Sequence, residues 1–138
     1  MKNVKVYLTA LLLSFSILFS NCTPDKNFVI PTEQVLISHP WSIDYYFQSQ
    51  DMTSQFGPYT LLFSSTGTAA AQKGTEYYPG TWSRSVDADN YEVISIHFTS
   101  GEPNLDFLNL NWRLMNRSSN TLEFVENNTA SSLRIKMQ

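Results

Sequence analysis

Two histidines, one cysteine and twelve acidic residues are the side chains from which this 138-residue chain would have to assemble a metal or catalytic centre. A zinc-type site needs several convergent nitrogen or sulfur ligands. His39, beside Pro40, and His97, on the polar side of a strand pattern, form no such cluster. Asp87-Ala88-Asp89-Asn90 offers oxygens to a hard cation, but it lacks the glycine and closing glutamate of an EF-hand loop and is expected to be a hairpin turn. Asp44, Glu76 and Glu92 are the acids that could supply a carboxylate pair for glycoside hydrolysis, provided that folding brings two of them together. No Gly-x-Ser-x-Gly elbow surrounds a serine. Tyr46, Tyr77, Tyr78 and Tyr91 fall at outward or loop positions, where aromatics either pair on a sheet's outer face or line a binding surface. No catalytic residue, metal ligand or cofactor is assigned on these grounds.

Cys22 has a different context. Residues 1–21 run from Met-Lys-Asn-Val-Lys through an apolar stretch, Val6 to Phe19, to Ser20-Asn21, the three regions of an export signal. The apolar stretch is too short for a comfortable membrane span. The run Leu18-Phe19-Ser20-Asn21-Cys22 resembles the lipobox of bacterial lipoproteins, in which the cysteine is acylated with palmitate-type chains and becomes the new N-terminus. Cys22 is the one cysteine present, so no internal disulfide competes for it. The resemblance implies a membrane partner through the lipid on Cys22 and a cell-envelope address, the outer membrane being favoured over the inner. Residues 22–39, with Pro24 and Pro31, are expected to be a helix-poor tether. Removing the signal takes Lys2 and Lys5 and no acid, leaving 7 basic against 12 acidic residues. Nucleic acid is excluded as a partner by that balance. The sequons at Asn116 and Asn127 have no role in such a protein.

The elements that would position any site are strands. Aromatic content of 14% with 15% charged residues indicates a packed body, and the length indicates one domain, residues 40–138. Trp41, Ile43, Tyr45 and Phe47 alternate with polar neighbours, as do Tyr59, Leu61 and Phe63, then Ile94, Ile96 and Phe98. Leu108, Leu110, Trp112 and Leu114 form the strictest alternation. Leu122 with Phe124, and Leu133, Ile135 and Met137, close the series. Ala69 to Lys73 is a weak strand, Thr81 to Val86 another, with Gly74 and Pro79-Gly80 read as the reversal between them. About eight short strands joined by tight turns, with no sustained 3.6 period, predict an all-β antiparallel meander closed or nearly closed into an up-and-down barrel. Its inward rows are bulky, so a filled interior is expected. Any cavity should lie beside Ala69 and Ala71 and fall below the roughly 300 Å³ at which drug-sized pockets begin.

Trp41-Ser42-Ile43, Tyr59-Thr60-Leu61-Leu62-Phe63 with a Thr66-Gly67 turn, Gly80-Thr81-Trp82, Leu108-Asn109-Leu110-Asn111-Trp112 and Leu133-Arg134-Ile135 together look like the small lipocalin-like (calycin-type) lipoproteins of Gram-negative bacteria. The resemblance spans nearly all of residues 41–138. It implies a non-enzymatic barrel that binds either a small apolar ligand or an envelope protein, and it names neither. A hydrolase built on the paired carboxylates, or a spacer or inhibitor-like module without a pocket, are the alternatives.

If Cys22 carries the anchor, Cys22→Ala should abolish labelling by a fatty-acid probe and leave the chain unprocessed or released from membranes. Undiminished labelling of that variant would disprove the assignment.

Overall fold

The computed structural model describes residues 30–99, 101–128, 130 and 132–138. Cys22, the expected export signal and the first part of the expected tether lie outside these residues. Among the described residues the chain is all-β, with two short helices, and no helix is long and apolar enough to cross a membrane. A helix α1 (Thr32–Leu36) precedes β1 (Ile43–Gln48), a two-residue return β2 (Gln50–Asp51) and a single 3-10 turn (Thr53–Gln55). Then come β3 (Tyr59–Phe63), β4 (Thr68–Lys73), β5 (Glu76–Val86) and β6 (Glu92–Phe98). Helix α2 (Pro103–Asp106), β7 (Asn111–Arg117), β8 (Leu122–Glu126) and β9 (Arg134–Met137) complete the order.

Strands β3 to β9 pair each with the next, all antiparallel, and β9 pairs with β1. The ring of eight strands is then joined by a bridge between Trp41 and Leu61, each donating its N–H to the other's carbonyl at 2.8 and 2.7 Å. The sheet is thus a strongly curled, nearly closed meander. The gap left between β1 and β3 is filled by the loop after β2. Met52 and Phe56 are buried there, the Phe56 ring lies 4.5 Å from Tyr46, and the Thr53 hydroxyl accepts the N–H of Tyr46 at 2.9 Å.

The interior is one contiguous apolar cluster in which Trp41, Tyr59, Leu61, Ile94, Phe98, Trp112 and Leu122 are almost wholly buried. The predicted filled core is therefore present, with two changes to its inward rows. Pairing of Ile43 with Met137 but Tyr45 with Lys136 leaves an extra residue, Asp44, on β1. Such a bulge reverses the alternation beyond it. Tyr46, expected outside, is 0% exposed, and Tyr45, expected inside, is 38% exposed. The second change is at residues 108–110, expected as strand. Backbone turns from Glu102 carry the chain to Leu110, and β7 starts only at Asn111. Pro103 is tolerated in the first helical turn, where its missing N–H is no loss. Leu105 and Leu108 are buried at a spacing of three rather than two.

Pro79-Gly80 is likewise not a reversal but the middle of the eleven-residue β5. The Pro79 carbonyl accepts from Thr99 at 3.4 Å, so the proline's edge faces away from β4 and its missing N–H interrupts no β4 pair. Gly80 is required by contact, because a Cβ there would sit 2.6 Å from the His97 carbonyl oxygen and 2.7 Å from Phe98 Cδ1.

The end of the supposed tether also folds. In α1, Thr32 and Leu36 are 0% and Val35 5% exposed, and the Leu36 carbonyl accepts the Trp41 indole N–H at 2.7 Å. Pro31 sits just ahead of the first helical residue, where a proline does not break a helix. The Thr32 hydroxyl bonds to Glu92 and receives a bond from Arg117, so α1 caps the end of the barrel where β6 begins. Burial alone would raise the Glu92 carboxyl, but its bonds to Thr32 and Arg84 and the charges of Arg84 and Arg117 outweigh that and hold it below the usual range.

Two outcomes follow from this packing. Trp112 is 1% exposed and its indole N–H donates to the Leu108 carbonyl at 3.0 Å. Trp112→Ala should lower the unfolding free energy by about 3–5 kcal/mol, read from urea midpoints at constant slope. For Glu92, the folded carboxyl binds its proton more weakly than the unfolded one, so stability rises with pH between the two values. Its contribution is complete above the ordinary carboxylate range and lost as pH falls through the lowered value. Glu92→Gln should remove that part of the acid-side loss, and an unchanged acid profile would show that the clamp on α1 does not contribute.

Candidate functional site

The three acids singled out as a possible catalytic pair are not brought together. Glu76 opens β5 and Glu92 opens its antiparallel partner β6, opposite Val86, so the length of β5, roughly 33 Å at 3.3 Å per residue, separates them. Glu76 accepts a bond from the Tyr78 hydroxyl at 2.9 Å, and Asp44 is held by Lys136 at 2.9 Å and by Gln138. Glu92 is lowered rather than raised, the reverse of what a general acid needs.

The Asp87 turn is satisfied by the protein itself. Asp87 Oδ1 accepts the N–H groups of Asp89 and Tyr91 at 3.0 and 2.9 Å, with Asn90 at a φ of 66°. Its Oδ2 lies 2.7 Å from an Arg113 nitrogen but off the direction of a hydrogen bond, so that contact is one of charge. Burial would raise this carboxyl, yet the two N–H groups and Arg113 together hold it below the usual range. Among the described residues no group of three His, Cys, Asp or Glu side chains could hold a metal.

The tyrosines divide. Tyr46 is internal, its hydroxyl donating to the Phe107 carbonyl at 3.0 Å, and burial together with the Glu126 charge pushes it up to about 12. Tyr78 packs against the core 6.3 Å from Tyr59, whose hydroxyl bonds to Glu102 at 2.7 Å and which burial and that bond raise to about 12. Tyr91 stacks on the Arg113 guanidinium at 4.4 Å, and Tyr77 is 63% exposed. His39 lies against Trp41 at 4.1 Å and bonds to Ser38.

His97 is placed in a setting its sequence neighbours do not reveal. Thr81 pairs with His97, Ser83 with Ser95, and Ser95 with Asn111, while the Asn127 N–H bonds to the Asn111 carbonyl. Directly opposed residues share a face. These polar side chains, none of them a lysine, arginine or carboxylate, therefore form one continuous patch on the outside of the barrel, across β5, β6, β7 and the turn after β8. The β6–β7 ladder has only three pairs, after which the chain detours through Leu108–Leu110. There Asn109 substitutes for a peptide group, accepting the Phe98 N–H at 2.6 Å and donating to its carbonyl at 3.0 Å. The detour and the Asn127-Asn128 turn wall a solvent-open cleft of about 600 Å³. Arg113, held by Asp87 and Asp89 and by the Tyr91 ring, donates to Asn127 Oδ1 at 3.0 Å and so fixes that wall from behind. This cleft lies outside the barrel, while Ala69 and Ala71, beside which an interior cavity was expected, are buried and paired with Phe63 and Leu61. A smaller groove of about 270 Å³ runs between Tyr45, Met115, Val125 and Arg134.

No family model and no curated protein matches the sequence. The fold is similar to that of a DUF4847 family protein from Bacteroides vulgatus ATCC 8482, solved as a crystal structure. The TM-score is 0.54 and the identity 16%, with 78% of this chain and 96% of that chain covered. At this identity, what the two chains share is the fold.

Proposed function

We propose that this protein is a lipid-anchored lipoprotein of the cell envelope, on the outer membrane, that binds without catalysis through the outside of its barrel. The observation that carries the reading is the division of the molecule into a filled apolar interior and a polar cleft opening outward beside it. An interior occupied by Trp41, Tyr46, Tyr59, Phe98 and Trp112 argues against carriage of a small apolar ligand. A cleft of about 600 Å³ is in the range, roughly 300–1,000 Å³, that small-molecule sites occupy. The dispersal of Asp44, Glu76 and Glu92 removes the pairing on which the hydrolase alternative rested. The envelope address rests on the lipobox resemblance at Cys22, whose acyl chains need no further protein contact to hold the domain at a membrane.

Native mass spectrometry of the full chain, purified from its own host's membranes, tests the binding mode. The expected spectrum shows the acyl anchor and no further stoichiometric apolar mass. A lipid-like molecule retained at one copy per chain would place the ligand inside and overturn the proposal.

A further inference from the structure

We infer that the outer cleft over Thr81, Ser83, His97 and Asn111 binds an uncharged, polyhydroxylated ligand, a short neutral oligosaccharide. This rests on the proposal that the barrel binds on its outside, and it adds the chemistry of what is bound.

The hydrogen-bonding inventory of the cleft carries the inference. Asn111 Oδ1 is taken by the Ser95 hydroxyl at 2.6 Å, and Asn127 Oδ1 by Arg113. With its oxygen occupied, each amide is left with its NH₂ group as the donor it can offer a ligand. The hydroxyls of Thr81 and Ser83 and the His97 imidazole have no partner among the described residues, and each can donate and accept. Mixed donors and acceptors at short spacing match sugar hydroxyls, each of which also does both.

Charge narrows the class. No lysine or arginine lines the cleft, so a phosphate or sulfate would meet no permanent counter-charge there. Glu126 is the one carboxylate along it. Its register partner is the inward Trp112, and its charge acts on the internal Tyr46, so it faces the barrel side. A cation therefore has no partner on the open face. An extended peptide is not favoured either, because strand addition needs an unpaired ladder edge. Here β6 is paired with β5 on one side, and on the other Ile96 bonds to Leu110 and Phe98 to the Asn109 amide.

The test titrates the full acylated chain, in detergent micelles, with neutral trisaccharides of gluco, manno, galacto and N-acetylglucosamine type, and with uronic-acid trisaccharides. Saturation-transfer NMR and calorimetry give the readout. At least one neutral trisaccharide should bind, and Ser83→Ala/His97→Ala, at two exposed positions, should weaken it about tenfold or more. Met115→Ala, in the separate groove, should leave it unchanged. Near-UV circular dichroism confirms that the double variant is folded, and Thr81→Ala replaces it if it is not. Absence of neutral saccharide binding, tighter binding of the uronic-acid series, or full affinity in the folded cleft variants would each overturn the inference. If no saccharide binds to a chain that is still acylated and membrane-bound, the inference falls while the anchored-lipoprotein proposal stands. A soluble, unacylated chain that binds saccharide reverses that outcome.

Discussion

Trp41 is the residue on which the closure of this barrel turns. Its backbone makes both hydrogen bonds to Leu61, without which β1 and β3 would each present an open edge at that end. Its indole N–H holds the last carbonyl of α1, and its ring is fully buried. One residue therefore ties the sheet into a ring through its backbone and fixes the helix that covers one end through its side chain. Partial replacements, such as hydrogen bonding by other residues, do not duplicate this, because β2 occupies the other end of β1 and leaves β3 only one residue to pair with.

The bulge at Asp44 works with that closure. By inserting one residue into β1 it sends Tyr46 inward, where the ring meets Phe56 and Trp112 and the hydroxyl reaches Phe107. A phenol in this position stays neutral, since burial and the Glu126 charge both oppose its ionisation. Tyr45 is correspondingly turned out, stacked 6.3 Å from Phe47. The interior is thus completed by a residue whose sequence position alone would place it in solvent.

Which features could be read from the chain follows from their range. Rows such as Tyr59, Leu61, Phe63 and Leu133, Ile135, Met137 are regular alternations, and they form the buried faces of β3 and β9 as expected. The bulge at Asp44 depends on how β1 registers with a strand some ninety residues later, so no local pattern marks it. The Leu108–Leu114 alternation concealed a helical spacing, Leu105 to Leu108, which was the available signal for α2. Val35 and Leu36 lie between Pro31 and Pro40 in a segment whose prolines suggest a linker, although their apolar pair is a signal for a docked helix. The outer cleft was not legible at all. Thr81, Ser83, Ser95, His97 and Asn111 are unremarkable singly, and only the cross-strand register assembles them. His97 gains its setting only from the polar face it shares with these residues.

The pairing of β9 with β1 has a consequence for biogenesis. Ile43 meets Met137, and Ser42 exchanges two hydrogen bonds with Gln138, so the seam joins residues made at opposite ends of the described chain. Translation must release residue 138 before this seam can form, and the entropy of closing so large a loop makes it a late event. Until then β1 stays without its partner strand, as an exposed edge available to other chains. Ring closure therefore comes after the strands between have been made, and during the interval before it an escort that shields β1 from neighbouring chains would have the most to contribute.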